Sequence, residues 1–317
     1  EAYEKKEFLA STDERFRPVS LTTGPDGALY VIDFYRGIIQ HRISLSPYLE
    51  EYIEEQDLVE PRGLGRIWRV VPDDATLRPA PRLADLPPAE LVPFLAHSNS
   101  WQRETAQRLL VEKGGNTVVP ALETLARGES ALGRLHALWT LDGLGKTSRA
   151  VLEPALSDDD AHVRNGAVRI AETFFATEQQ ETVLAKLIAV SATESDPQVQ
   201  LQLALTLGEA KNPAADLAMA AMAERLPRHR HLAGAICSGL HGRELELLRH
   251  CLTTRTGRSL VAGLAGCVAA ERDPDRVTEL FALFDETDPA YRKTGLAGFA
   301  ANAADFVRRP VELGERP

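Results

Sequence analysis

Aromatic side chains are scarce in this chain of 317 residues, at 6% of the total, and alanine and leucine dominate after residue 83. That shortage disfavours the bulky core of a β-sandwich and favours helices packed through small contact residues. Cysteine is rarer still: Cys237, Cys251 and Cys267 lie far apart with no Cys-x-x-Cys spacing. An odd, dispersed set excludes a disulfide framework or a cysteine zinc site and reads as small buried thiols. No apolar run approaches the roughly 20 residues that span a bilayer, so no transmembrane segment is expected. No basic run offsets the formal net charge of −10, so no nucleic-acid partner is expected. The acidity itself reads as a solubilising surface. An initial methionine is also absent, the chain beginning at Glu1. This predicts a piece of a longer protein and leaves a signal peptide undecided.

What is present changes character along the chain. Residues 1–72 read as β and loop. Phe16-Arg17-Pro18-Val19-Ser20-Leu21-Thr22-Thr23 leads into Gly24-Pro25-Asp26-Gly27, where proline presets φ and the last glycine accepts a positive φ. The apolar and β-branched run Ala28–Asp33 then predicts a buried strand, and Gly65–Val71, ended by Pro72, predicts a second. Between them, Ser46 as N-cap and Pro47 at the first helical position predict a short helix over 46–56 with Tyr48, Leu49, Tyr52 and Ile53 on one face. So few strands cannot close a sheet and require neighbours. Residues 73–82, rich in proline and polar groups, form the expected linker.

From Leu83 to 317 the period becomes helical and a repeat is visible. Its register mark is Arg103, Arg134, Arg164, Gln200, Arg230, Arg258 and Arg292, at separations of 31, 30, 36, 30, 28 and 34 residues. Three positions on stand Ala106, Ala137, Ala167, Leu203, Ala233, Val261 and Gly295, mostly small enough for close helix contact. Asp158-Asp159-Asp160 and Ser195-Asp196 precede helices and read as caps; they lack the spaced ligands and glycine of a calcium loop. Seven helix pairs in phase predict a mainly α chain: an α-solenoid. The Asp-x-x-Val-Arg-x-x-Ala pattern resembles short HEAT repeats, while the tetratricopeptide pattern is absent. Arg308-Arg309-Pro310 predicts a helix break near the end.

The strings Ser11–Val19, Gly24–Asp33, Phe34-Tyr35-Arg36-Gly37-Ile38-Ile39-Gln40-His41 and Gly65-Arg66-Ile67-Trp68-Arg69-Val70 together resemble one family. It is the membrane-bound dehydrogenase family of planctomycetes and verrucomicrobia, also called PVC-type haem-binding proteins. Trp101–Leu110 is similar to the first helical repeat that follows the propeller there. The resemblance covers about a fifth of the chain closely. It implies that residues 1–72 are the terminal strands of a β-propeller similar to glucose/sorbosone dehydrogenases, with residues 83–317 as the HEAT-like region. It further implies a periplasmic or secreted location, and pyrroloquinoline quinone, calcium and c-type haem in a full-length parent that oxidises sugars or alcohols. Haem attachment needs Cys-x-x-Cys-His; the nearest string here, Cys237-Ser238-Gly239-Leu240-His241, lacks the second thiol.

In the N-terminal part, Asp33, Arg36 and His41 follow a strand, where propellers place functional loops. Arg36 could hold a quinone carboxylate, His41 could act as a base, and Asp33 could help bind calcium. Arg17 and Arg15 are similar but weaker candidates, Arg17 for the cofactor. The competing reading of an Asp–Arg pair after a strand is a staple that fixes the loop. His136, His162, His229 and His231 read as solvated or packed imidazoles, and no metal site is expected. Two functions stay open: a part of a quinone- and haem-linked dehydrogenase with the solenoid as spacer, and a non-enzymatic scaffold whose solenoid holds a protein partner. A DNA-repair glycosylase of solenoid type is disfavoured by charge.

Overall fold

The Gly-Pro-Asp-Gly turn closes a hairpin between strands β1 (Pro18–Thr23) and β2 (Leu29–Asp33). Gly27 takes φ +88°, and its N–H donates to the Gly24 carbonyl at 3.0 Å. Asp26 accepts from the Ala28 N–H at 3.1 Å and from the Tyr30 hydroxyl at 3.1 Å. It also accepts from Arg69 Nε at 2.8 Å, so the turn is tied to the third strand. That strand, β3 (Arg66–Val70), pairs antiparallel with β2, giving the order β1-β2-β3. Helix α1 (Pro47–Glu55) lies between β2 and β3 in the chain, with Ser46 Oγ accepting from the Leu49 N–H at its start.

The computed structural model describes residues 4–74 and 79–303, with Arg42 described in its backbone only. The predicted linker falls partly, and Arg308-Arg309-Pro310 wholly, outside these residues. The chain divides into two compact units, Glu1–Leu109 and Leu110–Pro317. The first unit extends beyond residue 82 for a visible reason. It includes a four-residue helix α2 (Pro88–Leu91) and the first turns of α3 (Ser100–Lys113). Asn99 Nδ2 donates to the Gly24 carbonyl at 2.9 Å, and Gln102 Nε2 to that of Pro25 at 2.9 Å, fastening this segment to the hairpin turn.

The described chain is mainly helical, with this small antiparallel sheet near its N-terminus. No described helix is long and apolar enough to cross a membrane. In the second unit the helices α4 (Val119–Leu125), α5 (Ala131–Gly143), α6 (Arg149–Ala155), α7 (Ala161–Ile170), α8 (Gln180–Ser191) and α9 (Pro197–Glu209) come in consecutive pairs. The pairing continues through α10 (Pro213–Arg225), α11 (Leu232–Ser238), α12 (Glu244–Thr254), α13 (Arg258–Glu271), α14 (Pro274–Asp285) and α15 (Pro289–Asn302). Each odd-numbered helix from α5 to α13 packs on the next odd-numbered one, while α4, α6, α8, α12 and α14 pack on their own successors.

Five of the seven register marks, Arg103, Arg134, Arg164, Gln200 and Arg292, occupy the fourth position of a helix. There the side chain turns back onto carbonyls just before the helix. Arg134 donates to Gly128 and Glu129 at 3.0 and 2.9 Å, Arg164 to Asp158 and Asp159 at 2.8 and 3.1 Å, and Gln200 to Glu194 at 2.8 Å. These are the carbonyls that a helix end or a tight turn leaves without a backbone donor. Arg230 and Arg258 depart from the pattern: Arg230 sits in the turn before α11, and Arg258 opens α13 with its guanidinium 5.6 Å from the Tyr291 ring centre. Of the small positions that follow the marks, Ala106, Ala137, Ala167, Leu203, Val261 and Gly295 are buried and Ala233 is half-buried.

Candidate functional site

The loop after β2 carries the residues singled out by sequence. Asp33 ends β2 with a carboxylate 1% exposed. Its Oδ1 accepts from the Arg17 and Tyr35 N–H groups, both at 2.9 Å, and its Oδ2 from the Trp68 indole N–H at 3.1 Å. Burial alone would raise its pKa. The donors from Arg17, Trp68 and Tyr35, with the Arg66 charge 4.0 Å away, outweigh burial and hold the carboxyl below its ordinary value. Both oxygens are therefore engaged by the protein, which suits a loop staple and does not fit a calcium ligand.

Arg17 serves the same loop, its guanidinium donating to the Gly37 carbonyl at 3.2 Å. Gly37 itself is pressed against the backbone of Leu58; a Cβ there would lie 2.5 Å from the Leu58 carbonyl oxygen. Arg15 Nη2 reaches the carbonyls of Asp57 and Glu60 at 2.6 and 3.2 Å. Tyr35 adopts φ +46°, an uncommon conformation for an aromatic residue. It is held there by its N–H bond to Asp33, by its hydroxyl on Asp13 at 2.8 Å, and by the Arg66 guanidinium 3.6 Å from its ring centre.

Arg36 differs from these. It is half-buried and lines a cleft of about 680 Å³ whose walls include Phe34, Ile39, Ile53, Glu54 and Arg62. Its guanidinium makes no hydrogen bond or ion pair among the described residues, whereas Arg62 is paired with Glu60 at 3.0 Å. His41 is exposed, does not line the cleft, and accepts weakly on Nδ1 from the Ile43 N–H at 3.4 Å. Of the candidates Asp33, Arg36, His41 and Arg17, the structure thus places only Arg36 in the cleft, with Asp33 and Arg17 in the scaffold beneath the loop. Tyr35, Arg66 and Trp68 were not singled out by sequence. The signal for Arg66 and Trp68 lay in their alternation on β3, which puts Arg66 opposite Asp33.

The sheet has both outer edges without a strand neighbour among the described residues. It also carries large apolar groups in the open, Leu21 at 63% and Ile67 at 66% exposure. The pairings Leu21–Val31–Trp68 and Ser20–Ile32–Ile67 put these two on opposite faces. In the second unit, the free thiols of Cys237 and Cys267 are close enough to perturb each other despite their separation in sequence. Cys251 is buried, which pushes its thiol up to about 11.

Residues 1–74 are similar to a family described as a domain of unknown function, DUF7133. Comparison of the chain with curated proteins gives no match.

Proposed function

We propose that this chain is a part of an exported quinone- and haem-linked dehydrogenase-like protein of the PVC type, acting on sugars or alcohols. In it residues 1–72 are the last strands of a β-propeller and residues 83–317 a HEAT-like solenoid that spaces or scaffolds its neighbours. The observation that carries the reading is the sheet with two open edges and apolar groups exposed on both faces. A strand edge left this way pairs with further strands or aggregates, and neighbouring propeller blades are its natural cover. The solenoid is supported by the sequential packing of odd-numbered helices and by the repeated side-chain bonds at the register marks.

Pyrroloquinoline quinone bears carboxylates, and the free guanidinium of Arg36 suits one of them. The cofactor supplies the redox chemistry; Arg36 would hold and orient it. Asp33 and Arg17 act one layer back, fixing the loop. The chain's own residues do not fit c-type haem, which would belong to another part of the parent. A second reading, a protein-binding scaffold without catalysis, is favoured by the engagement of Asp33 and Arg17 in structure. The two part in an assay of dye reduction by a longer parent and by this chain, with added quinone, calcium and a panel of sugars and alcohols. Turnover by the parent, lost in Arg36→Ala, is the expected result. Absence of both turnover and quinone binding in the parent overturns the dehydrogenase reading and leaves the scaffold.

A further inference from the structure

The turn between α11 and α12 brings together three side chains that no motif in the sequence announces. His241 lies in the turn and is exposed, Glu244 opens α12 and is 3% exposed, and Glu271 closes α13 and is half-buried. One potential ligand atom from each lies within 4.8 Å of the other two. Gly242, at φ +82°, bends the turn so that His241 and Glu244 share one site.

Arg276, in the first turn of α14, organises the carboxylates from one side. Its Nη2 donates to Glu244 Oε2 at 2.7 Å, its Nε is 2.6 Å from Glu271 Oε2, and its Nη1 donates to the Gly242 carbonyl at 3.1 Å. That leaves a second oxygen on each carboxylate. Glu271 Oε1 is buried and has no hydrogen-bond partner among the described residues. A buried carboxylate oxygen without a partner is costly and calls for a cation or a donor. The His241 ring has no hydrogen bond among the described residues. The two carboxylates and the Arg276 guanidinium together carry one net negative charge around the gap.

We propose that His241, Glu244 and Glu271 bind a divalent transition metal of the zinc type, with Arg276 orienting the two carboxylates from behind. An imidazole beside two carboxylates suits zinc better than calcium or magnesium, which take oxygen ligands alone. Three protein ligands leave one position for water. Arg276 occupies the place of the outer-shell partner that fixes a ligating carboxylate. Cys267 stands one helical turn before Glu271 on α13, and Cys237 lies near the end of α11, four residues before His241; their thiols are the alternative ligands that a test must separate.

The test uses the full chain, freed of metal with a chelator and titrated with zinc by calorimetry. Metal analysis after gel filtration and the visible spectrum of the cobalt-loaded protein accompany it. One equivalent of zinc and a rise in melting temperature are expected. His241→Ala and Glu271→Gln should each weaken binding about tenfold or more. His162→Ala should leave both stoichiometry and affinity unchanged. Metal-free melting curves of the variants report folding, and Glu271→Gln keeps the shape of the side chain. Absence of saturable binding overturns the proposal. So does binding unaffected by His241→Ala and Glu271→Gln, or binding lost only in Cys237→Ser/Cys267→Ser with a thiolate-to-cobalt charge-transfer band in the wild type.

Discussion

Replacing Arg164 by alanine removes four hydrogen bonds at once. The guanidinium donates to both oxygens of Glu194 at 2.8 and 3.0 Å and to the carbonyls of Asp158 and Asp159 at 2.8 and 3.1 Å. The Glu194 side chain left behind is 4% exposed. Breaking a buried pair by deleting one partner costs roughly 3–5 kcal/mol, because the other charge stays buried. Here the N–H groups of Ser195 and Asp196, both 2.8 Å from Glu194 Oε1, keep part of that charge satisfied and place the cost at the lower end, about 3 kcal/mol. In a domain of about 200 residues this lowers the melting temperature by roughly 6–12 °C, read by circular dichroism at the helical band. Adding Glu194→Gln to Arg164→Ala removes the stranded charge and should recover about half of the loss. Arg149→Ala, which breaks an exposed helical pair with Glu153, should change stability by no more than about 0.5 kcal/mol. An Arg164→Ala protein melting like Arg149→Ala, or a double variant no better than the single, refutes the view that these buried pairs hold successive helices together.

Asp33→Asn keeps an acceptor for the Arg17 and Tyr35 N–H groups but turns an amide donor toward the Trp68 indole N–H. A loss of about 1–3 kcal/mol is expected, followed by tryptophan fluorescence during urea unfolding. Arg36→Ala, which breaks no bond among the described residues, should leave the same unfolding curve within about 0.5 kcal/mol. Gly208→Ala inserts a Cβ 2.8 Å from the Gly239 Cα, backbone against backbone where α9 meets α11, and should cost about 1–3 kcal/mol by thermal melting. Burial of Glu194 and partial burial of Asp158 raise their pKa, but bonds from Arg134, Arg164 and backbone N–H groups lower both below the ordinary 3.8 and 4.5. The native state therefore binds fewer protons than the unfolded state, so this stability is complete above those ordinary values and is lost as pH falls through the lowered native ones. Arg164→Ala removes the main cause for Glu194, and its melting temperature should fall less steeply with acid than that of the wild type.

What could be read from the sequence was what a few adjacent residues decide. The Gly24–Gly27 turn, the strand after it, the strand at 66–70 and the capped helix at 47–55 follow from proline, glycine and β-branched residues within a short window, and each stands where it was expected; the strand before the turn, Pro18–Thr23, was not expected. The repeat was legible wherever its arginine or glutamine repaired a local defect, the carbonyls five and six residues before it. It failed at Arg230, where Pro227 and the following turn delay α11 to Leu232, and at Arg258, where the helix begins at the arginine itself. In both places the arginine–carboxylate link comes from other positions, Arg243 with Asp216 at 2.9 Å and Arg276 with Glu244 at 2.7 Å. Spacing alone could not signal that exchange, because the partners sit 27 and 32 residues apart on separate helices. The same limit hid the roles of Asp33 and Arg36. Neighbours in sequence, they part in function because Trp68, 35 residues beyond Asp33, takes up one carboxylate oxygen, while nothing comparable among the described residues reaches the arginine. A residue's availability for chemistry is settled by which distant groups have already claimed it. Among the described side chains, the loop after β2 is thus best read as the free guanidinium of Arg36 on a frame of engaged groups.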